Sequence, residues 1–176
     1  MGLTEGSRVE RLPWFNQSFS NVEEWFDTET GKFFMKTICE YDFPRGSFVE
    51  IGSWQGRSSC FIATALKYCK QYEKLHCIDT FNGTTNEQVH RDIFKAHGDD
   101  PDWLFRTFQN NLKSYELETQ VIIHRLPSTE AVKTWNSPIG FIYIDGDHEY
   151  EAILQDFESC QILVRGALLA FDDVPS

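Results

Sequence analysis

The 176-residue sequence has no run of basic residues; its 16 Lys and Arg face 27 Asp and Glu, a formal net charge of −11. A chain this acidic is repelled by a phosphate backbone, so nucleic acid is not an expected partner. No apolar stretch reaches the length of a membrane span, and the N-terminus lacks a basic start followed by an apolar run. No membrane association and no secretory leader are therefore expected, and cytoplasm is the default location. The five cysteines form no C-x-x-C pair and are odd in number. That spacing argues against a thiolate zinc site and a disulfide framework, and predicts core thiols in a reducing compartment. Repeats and low-complexity segments are also missing, so a single folded domain is expected.

What is present is a series of short apolar runs. Residues 47–51, 75–79, 120–124, 140–145 and 167–171 are rich in β-branched and aromatic side chains and bounded by turn or polar residues. Such near-continuous runs mark strands buried on both faces, as in a parallel sheet. Helical patterns lie between them, at 57–72, 101–114, 128–135 (with Ser128 as N-cap) and 149–164. The polar stretch 82–90 reads as a mobile loop. Strands alternating with helices predict an α/β fold, a doubly wound Rossmann-like parallel sheet of about five strands in the order 3-2-1-4-5, with helices on both faces. Residues 1–45 read as an N-terminal helical extension, and 46–176 as the domain proper.

The first strand runs into Glu50-Ile51-Gly52-Ser53-Trp54-Gln55-Gly56. Trp54 stands where a dinucleotide fingerprint needs its middle glycine. Gly56-Arg57-Ser58 arrives one residue early for a P-loop and carries Arg in place of Lys. The pattern that fits is E-x-G-x-x-x-G, a strand–turn–helix expected to bind a cofactor, although alone it also suits a purely structural turn. Asp79, ending the second strand, completes it with a carboxylate able to accept two ribose hydroxyls.

Two acidic clusters end the last two strands: Asp145-Gly146-Asp147-His148 and Asp172-Asp173. A parallel sheet brings both to the edge that carries Gly52 and Asp79. Grouped carboxylates repel one another unless a cation lies between them, and an all-oxygen set suits Mg²⁺, Mn²⁺ or Ca²⁺. Solvated strand-end acids are the plainer alternative. His148 stands three residues after Asp145, placed for general-base work or for a surface role. His76 and His124 fall in strand patterns and read as structural. Trp14, Phe15, Trp25 and Trp103 are candidates to line an acceptor pocket or to fill core.

The segment 48–59 resembles the first motif of class I S-adenosylmethionine-dependent methyltransferases. Together with 144–151 and 169–173 it is similar to the metal-dependent small-molecule O-methyltransferases of the macrocin type and, more distantly, catechol O-methyltransferase. The resemblance implies a methyl transfer from S-adenosylmethionine to a small molecule with neighbouring hydroxyls. It implies cofactor contacts at Glu50, Gly52, Ser53, Gly56, Ser58, Asp79, Ser128 and Asp145. Asp145, Asp172 and Asp173 would be the metal ligands, and His148 the general base. The usual C-terminal strands of the family have no counterpart before Ser176. Either a partner subunit, such as a second copy, covers the fifth strand's edge, or the sequence is a fragment. Two rival readings stay open: a metal-dependent glycosyltransferase using the D-x-D at 145–147, and a non-catalytic cofactor-binding domain. A nicotinamide oxidoreductase is disfavoured by Trp54.

Overall fold

The structure is a computed structural model, and it describes residues 7–23, 25–83, 88–146 and 163–172. Two short 3-10 helices, Val9–Arg11 and Pro13–Asn16, precede α1 (Thr28–Glu40). Then follow β1 (Ser47–Ile51), α2 (Arg57–Cys69), β2 (Leu75–Ile78), α3 (Gln88–Ala96), α4 (Trp103–Ser114), β3 (Val121–His124), α5 (Ser128–Thr134), β4 (Ile139–Ile144) and β5 (Leu163–Phe171). The five strands form one parallel sheet in the order β3-β2-β1-β4-β5, as the sequence predicts. No helix among the described residues is long and apolar enough to cross a membrane.

Alternation along the strands sends successive side chains to opposite faces. Phe48, Leu75, Cys77, Phe141 and Tyr143 join the larger core with α1, α2 and α4. Val49, Ile51, Ile78, Ile142 and Ile144 form the smaller core with Ala131 of α5. Helices thus cover both faces. The segment before β1 is built into the larger core through Phe15, Phe19, Val22, Phe26, Phe34, Met35 and Ile38. Asp27 caps α1, its carboxylate accepting from the backbone N–H groups of Glu29 (2.8 Å) and Thr30 (3.0 Å).

Several expectations need correction. Cys39 and Cys69 form a disulfide across 30 residues of sequence. α1 and α2 pack side by side, so their last turns meet; local spacing does not reveal a pairing between neighbouring helices. The case for a reducing compartment, which rested on unpaired cysteines, loses its footing. Cys60 and Cys77 are buried free thiols. The stretch expected to be a loop at 82–90 ends inside α3, a helix with no fully buried residue, whose Phe94 packs against the larger core. The fifth strand begins at Leu163 rather than Ala167, so 163–164 do not close a helix; the remainder of the expected 149–164 helix lies outside the described residues. Gly166 (φ 89°) takes up a register break opposite Ile139–Phe141. Pro127, not Ser128, occupies the N-cap of α5, and Ser128 is its first helical residue.

Candidate functional site

The turn after β1 is shaped by two glycines in the left-handed region. Gly52 (φ 81°) donates its N–H to the Ile78 carbonyl at 3.0 Å. A Cβ there would stand 1.9 Å from the Asp145 carbonyl oxygen, so only glycine lets the ends of β1 and β4 come this close. Gly56 (φ 91°) donates to the Ser53 carbonyl at 2.7 Å and is the N-cap residue of α2. A Cβ on Gly56 would meet the Phe108 ring at 2.7 Å, so packing against α4 also holds this position to glycine.

Two acids organise the turn from below and beside. Glu50 is fully buried, and its Oε2 accepts from the Ser53 hydroxyl (2.7 Å), the Ser59 hydroxyl and the Cys77 thiol (3.3 Å). Burial pushes its pKa up, while these serines and Ser58 pull it down. Its other oxygen, Oε1, is buried with no partner among the described residues. The Asp79 carboxylate accepts the backbone N–H groups of Ser53 (2.8 Å) and Trp54 (2.9 Å) on one oxygen, and that of Phe81 (2.6 Å) on the other. Desolvation raises its pKa, and the three N–H groups offset part of that rise.

The sheet ladder continues past the strand ends and sets the remaining acids. Asp145 donates its N–H to Ile51 at 2.8 Å, and Asp172 donates to Ile144 at 3.0 Å. Asp145 Oδ2 accepts the Tyr143 hydroxyl at 3.0 Å. Burial, then the nearby Asp172 carboxylate, pushes Asp145 up to about 7. Two of the three expected metal ligands are therefore neighbours beside Gly52. Asp173 and His148 lie outside the described residues. Among the described residues no cluster of three or more His, Cys, Asp or Glu is present. Ser128, at the start of α5, follows β3 on the same edge of the sheet.

An aromatic wall stands beside the turn. Trp54, itself at φ 48°, stacks on Trp25 (4.8 Å, 10°) and on His90 of α3 (4.5 Å, 24°). Phe94 and Trp103 meet it edge-on at 6.5 Å. Of the aromatics singled out in the sequence, Trp25 is 48% exposed against this wall, Trp14 stacks on Tyr68, and Phe15 is core. In the sequence Arg57 stands only where a P-loop would need Lys; in the fold it is buried. Its Nη2 donates to the Ser18 carbonyl (3.2 Å) and the Thr28 hydroxyl (3.0 Å), tying the N-terminal segment to the first residue of α2.

A family profile described as a methyltransferase domain matches residues 49–174, which takes in the turn and both acidic strand ends. The chain belongs to the methyltransferase-domain family. Solved structures carry the same fold. The O-methyltransferase NovP superposes with a TM-score of 0.62 at 17% identity, over 82% of this chain and 63% of its own. Apo CalS11, a TDP-rhamnose 3′-O-methyltransferase of calicheamicin biosynthesis, gives 0.55 at 16% identity, over 84% and 63%. The SAH-bound methyltransferase PaMTH1 of Podospora anserina gives 0.62 at 12%, over 92% and 62%. This methyltransferase-family chain thus spans a little over six-tenths of the length of those structures.

Proposed function

We propose that this domain transfers a methyl group from S-adenosylmethionine to an oxygen of a small molecule bearing neighbouring hydroxyls, with a divalent cation (Mg²⁺, or Mn²⁺ or Ca²⁺) assisting. The observation that carries the reading is the contact between Gly52 and Asp145, which makes the cofactor-type turn and the acid pair one site. The names of NovP and CalS11 support an oxygen acceptor, and that of CalS11 a sugar diol.

The residues fit both groups. Asp79 has three N–H donors on its two oxygens, and a carboxylate offers about four acceptor positions. Room remains for a ribose hydroxyl. Asp145 and Asp172 supply oxygen donors whose mutual repulsion a cation would relieve, and Asp173, outside the described residues, would be the third. When bound, S-adenosylmethionine supplies an electrophilic methyl on a sulfonium, and the cation supplies the charge that acidifies an acceptor hydroxyl.

The chain's own residues do the rest. Asp79 orients the ribose and at the same time fixes the Ser53–Trp54 backbone. Glu50 holds Ser53 and Ser59 from beneath, keeping the turn in one shape. Gly52, Gly56, Ser53 and Ser58 frame the methionine end. Ser128 borders the adenine, and the aromatic wall excludes water. His148 takes the proton from the attacking hydroxyl. Holding the reactants in line supplies much of the rate. The partners are a small-molecule acceptor and a second copy of the chain along the β5 edge. A cytoplasmic site of action goes with this reading, and there Cys39 and Cys69 would be held largely as thiols.

Calorimetric titration with S-adenosylhomocysteine tests the binding half: Asp79→Asn should weaken it by about 10–100-fold, the worth of hydrogen bonds to a charged group. Methyl transfer to a panel of catechols and sugar diols should require Mg²⁺ and disappear with EDTA. His148→Ala should lose most turnover and keep cofactor binding. Binding of uridine diphosphate in place of S-adenosylhomocysteine would overturn the reading in favour of a glycosyltransferase.

A further inference from the structure

The disulfide and the buried arginine grip the same pair of helices at opposite ends. Arg57 is the first residue of α2, and it holds Ser18 and Thr28. Cys69 is the last residue of α2, bonded to Cys39 in the last turn of α1. Between these points α2 runs 13 residues, roughly 20 Å at the helical rise. The helices are in close contact about a third of the way along: a Cβ on Gly31 would stand 2.4 Å from the Phe61 ring. The segment so held carries Trp25, which lies on Trp54 inside the cofactor-type turn. Cys69 is exposed and Cys39 half-buried, so the bridge is open to thiol reagents. The other described thiols are not: Cys60 and Cys77 are buried, and burial pushes both up in pKa, which keeps them unreactive.

We infer that Cys39–Cys69 is a thiol-exchange site acting as a latch: closed, it tightens the N-terminal segment and Trp25 against the cofactor-type turn, and opened by a dithiol it loosens their hold while the segment's core contacts stay. Opening consumes one dithiol. Its two thiols give two electrons and two protons, Cys39 and Cys69 become free thiols, and the reagent leaves as its own disulfide. Closing is the reverse exchange with a disulfide such as oxidised glutathione, which departs as two thiols. Arg57 remains as the second grip, so opening loosens the segment without discarding it. The inference does not rest on the methyl-transfer reading, because none of its readouts needs a cofactor.

The full chain, oxidised with glutathione disulfide, is denatured, alkylated and digested with trypsin without reductant. The peptide Thr37–Arg45 should be found linked to Tyr68–Lys70, and dithiothreitol should separate the two. On the native protein, dithiothreitol should speed hydrogen exchange of amides in residues 8–40 by tenfold or more and leave β1, β2 and β4 unchanged. Tryptophan fluorescence should shift as the hold of Trp25 on Trp54 loosens. The Cys39→Ser/Cys69→Ser variant should match the reduced protein and ignore dithiothreitol; the wild-type comparison carries the test even if that variant folds poorly. Absence of the linked peptide after oxidation overturns the inference. So does a linked peptide whose reduction leaves exchange and fluorescence unmoved.

Discussion

At Gly52 the demand for glycine has two separable parts, and the chain supplies its own control. Gly52 and Gly98 both sit at positive φ (81° and 74°), but a Cβ at Gly98 meets nothing within 4 Å, whereas at Gly52 it meets the Asp145 backbone. Gly98→Ala should therefore cost only the left-handed strain, about 1 kcal/mol. Gly52→Ala adds a clash with immovable backbone and should cost about 3 kcal/mol or more. Urea unfolding of the two variants measures the gap; equal losses would mean that the strand ends do not touch. Glu50 makes a second prediction at this scale. Its pKa is raised above the ordinary value, chiefly by burial, so the fold prefers the neutral acid. Stability from this preference is complete below about pH 4.5 and drains away as pH rises through the folded pKa. Glu50→Gln removes that drain. The melting temperature of the variant relative to wild type should climb between pH 5 and pH 8, and a flat difference would refute the assignment.

At the scale of elements, β2 and β3 carry a histidine pair that the sequence marks only as structural. His76 Nδ1 and His124 Nε2 lie 2.9 Å apart with stacked rings, and Trp135 closes on them edge-on. Burial, then the His124 charge, lowers His76 to about 4; burial lowers His124. A lowered histidine pKa gives stability that is whole above the unfolded value near 6.5 and lost as pH falls toward 4. Wild type should lose more melting temperature between pH 7 and pH 5 than His76→Gln does, and equal losses would contradict the pairing. This level also shows what the sequence could and could not convey. The strands were legible because burial on both faces leaves unbroken apolar runs, and E-x-G-x-x-x-G was legible because the turn needs its residue types in fixed order. α3 was not, since it is short and its few apolar positions, Val89, Ile93 and Phe94, follow directly on a polar run. The start of β5 was obscured by Arg165 and Gly166, which sit at its register break. Cys39–Cys69 and the Arg57 contacts join positions far apart in sequence, and only the packing of α1 on α2 brings them together.

For the whole molecule, the consequential feature is how the two cores divide the chain. The larger one takes in Phe15, Phe19, Val22, Phe26, Phe34, Met35 and Ile38 from the segment before β1, each at most 7% exposed. Burying a large apolar side chain is worth about 1.5–3 kcal/mol, so these seven are worth roughly 10–20 kcal/mol as an upper estimate. The boundary at residue 46, natural from the sheet topology, cuts through this core, so the expectation is that 46–176 does not fold alone. A chain beginning at Gly46 would expose the faces of α2, Phe141 and Tyr143 that these residues cover. It should be recovered as aggregate, or as a species lacking a cooperative thermal transition, while the full chain melts in one step. Supplying residues 1–45 as a separate peptide should restore part of the transition, because the lost contacts are noncovalent apart from Cys39–Cys69. A soluble, cooperatively melting 46–176 chain would show instead that the sheet and its own helices suffice, and that the N-terminal segment serves only the site it overhangs.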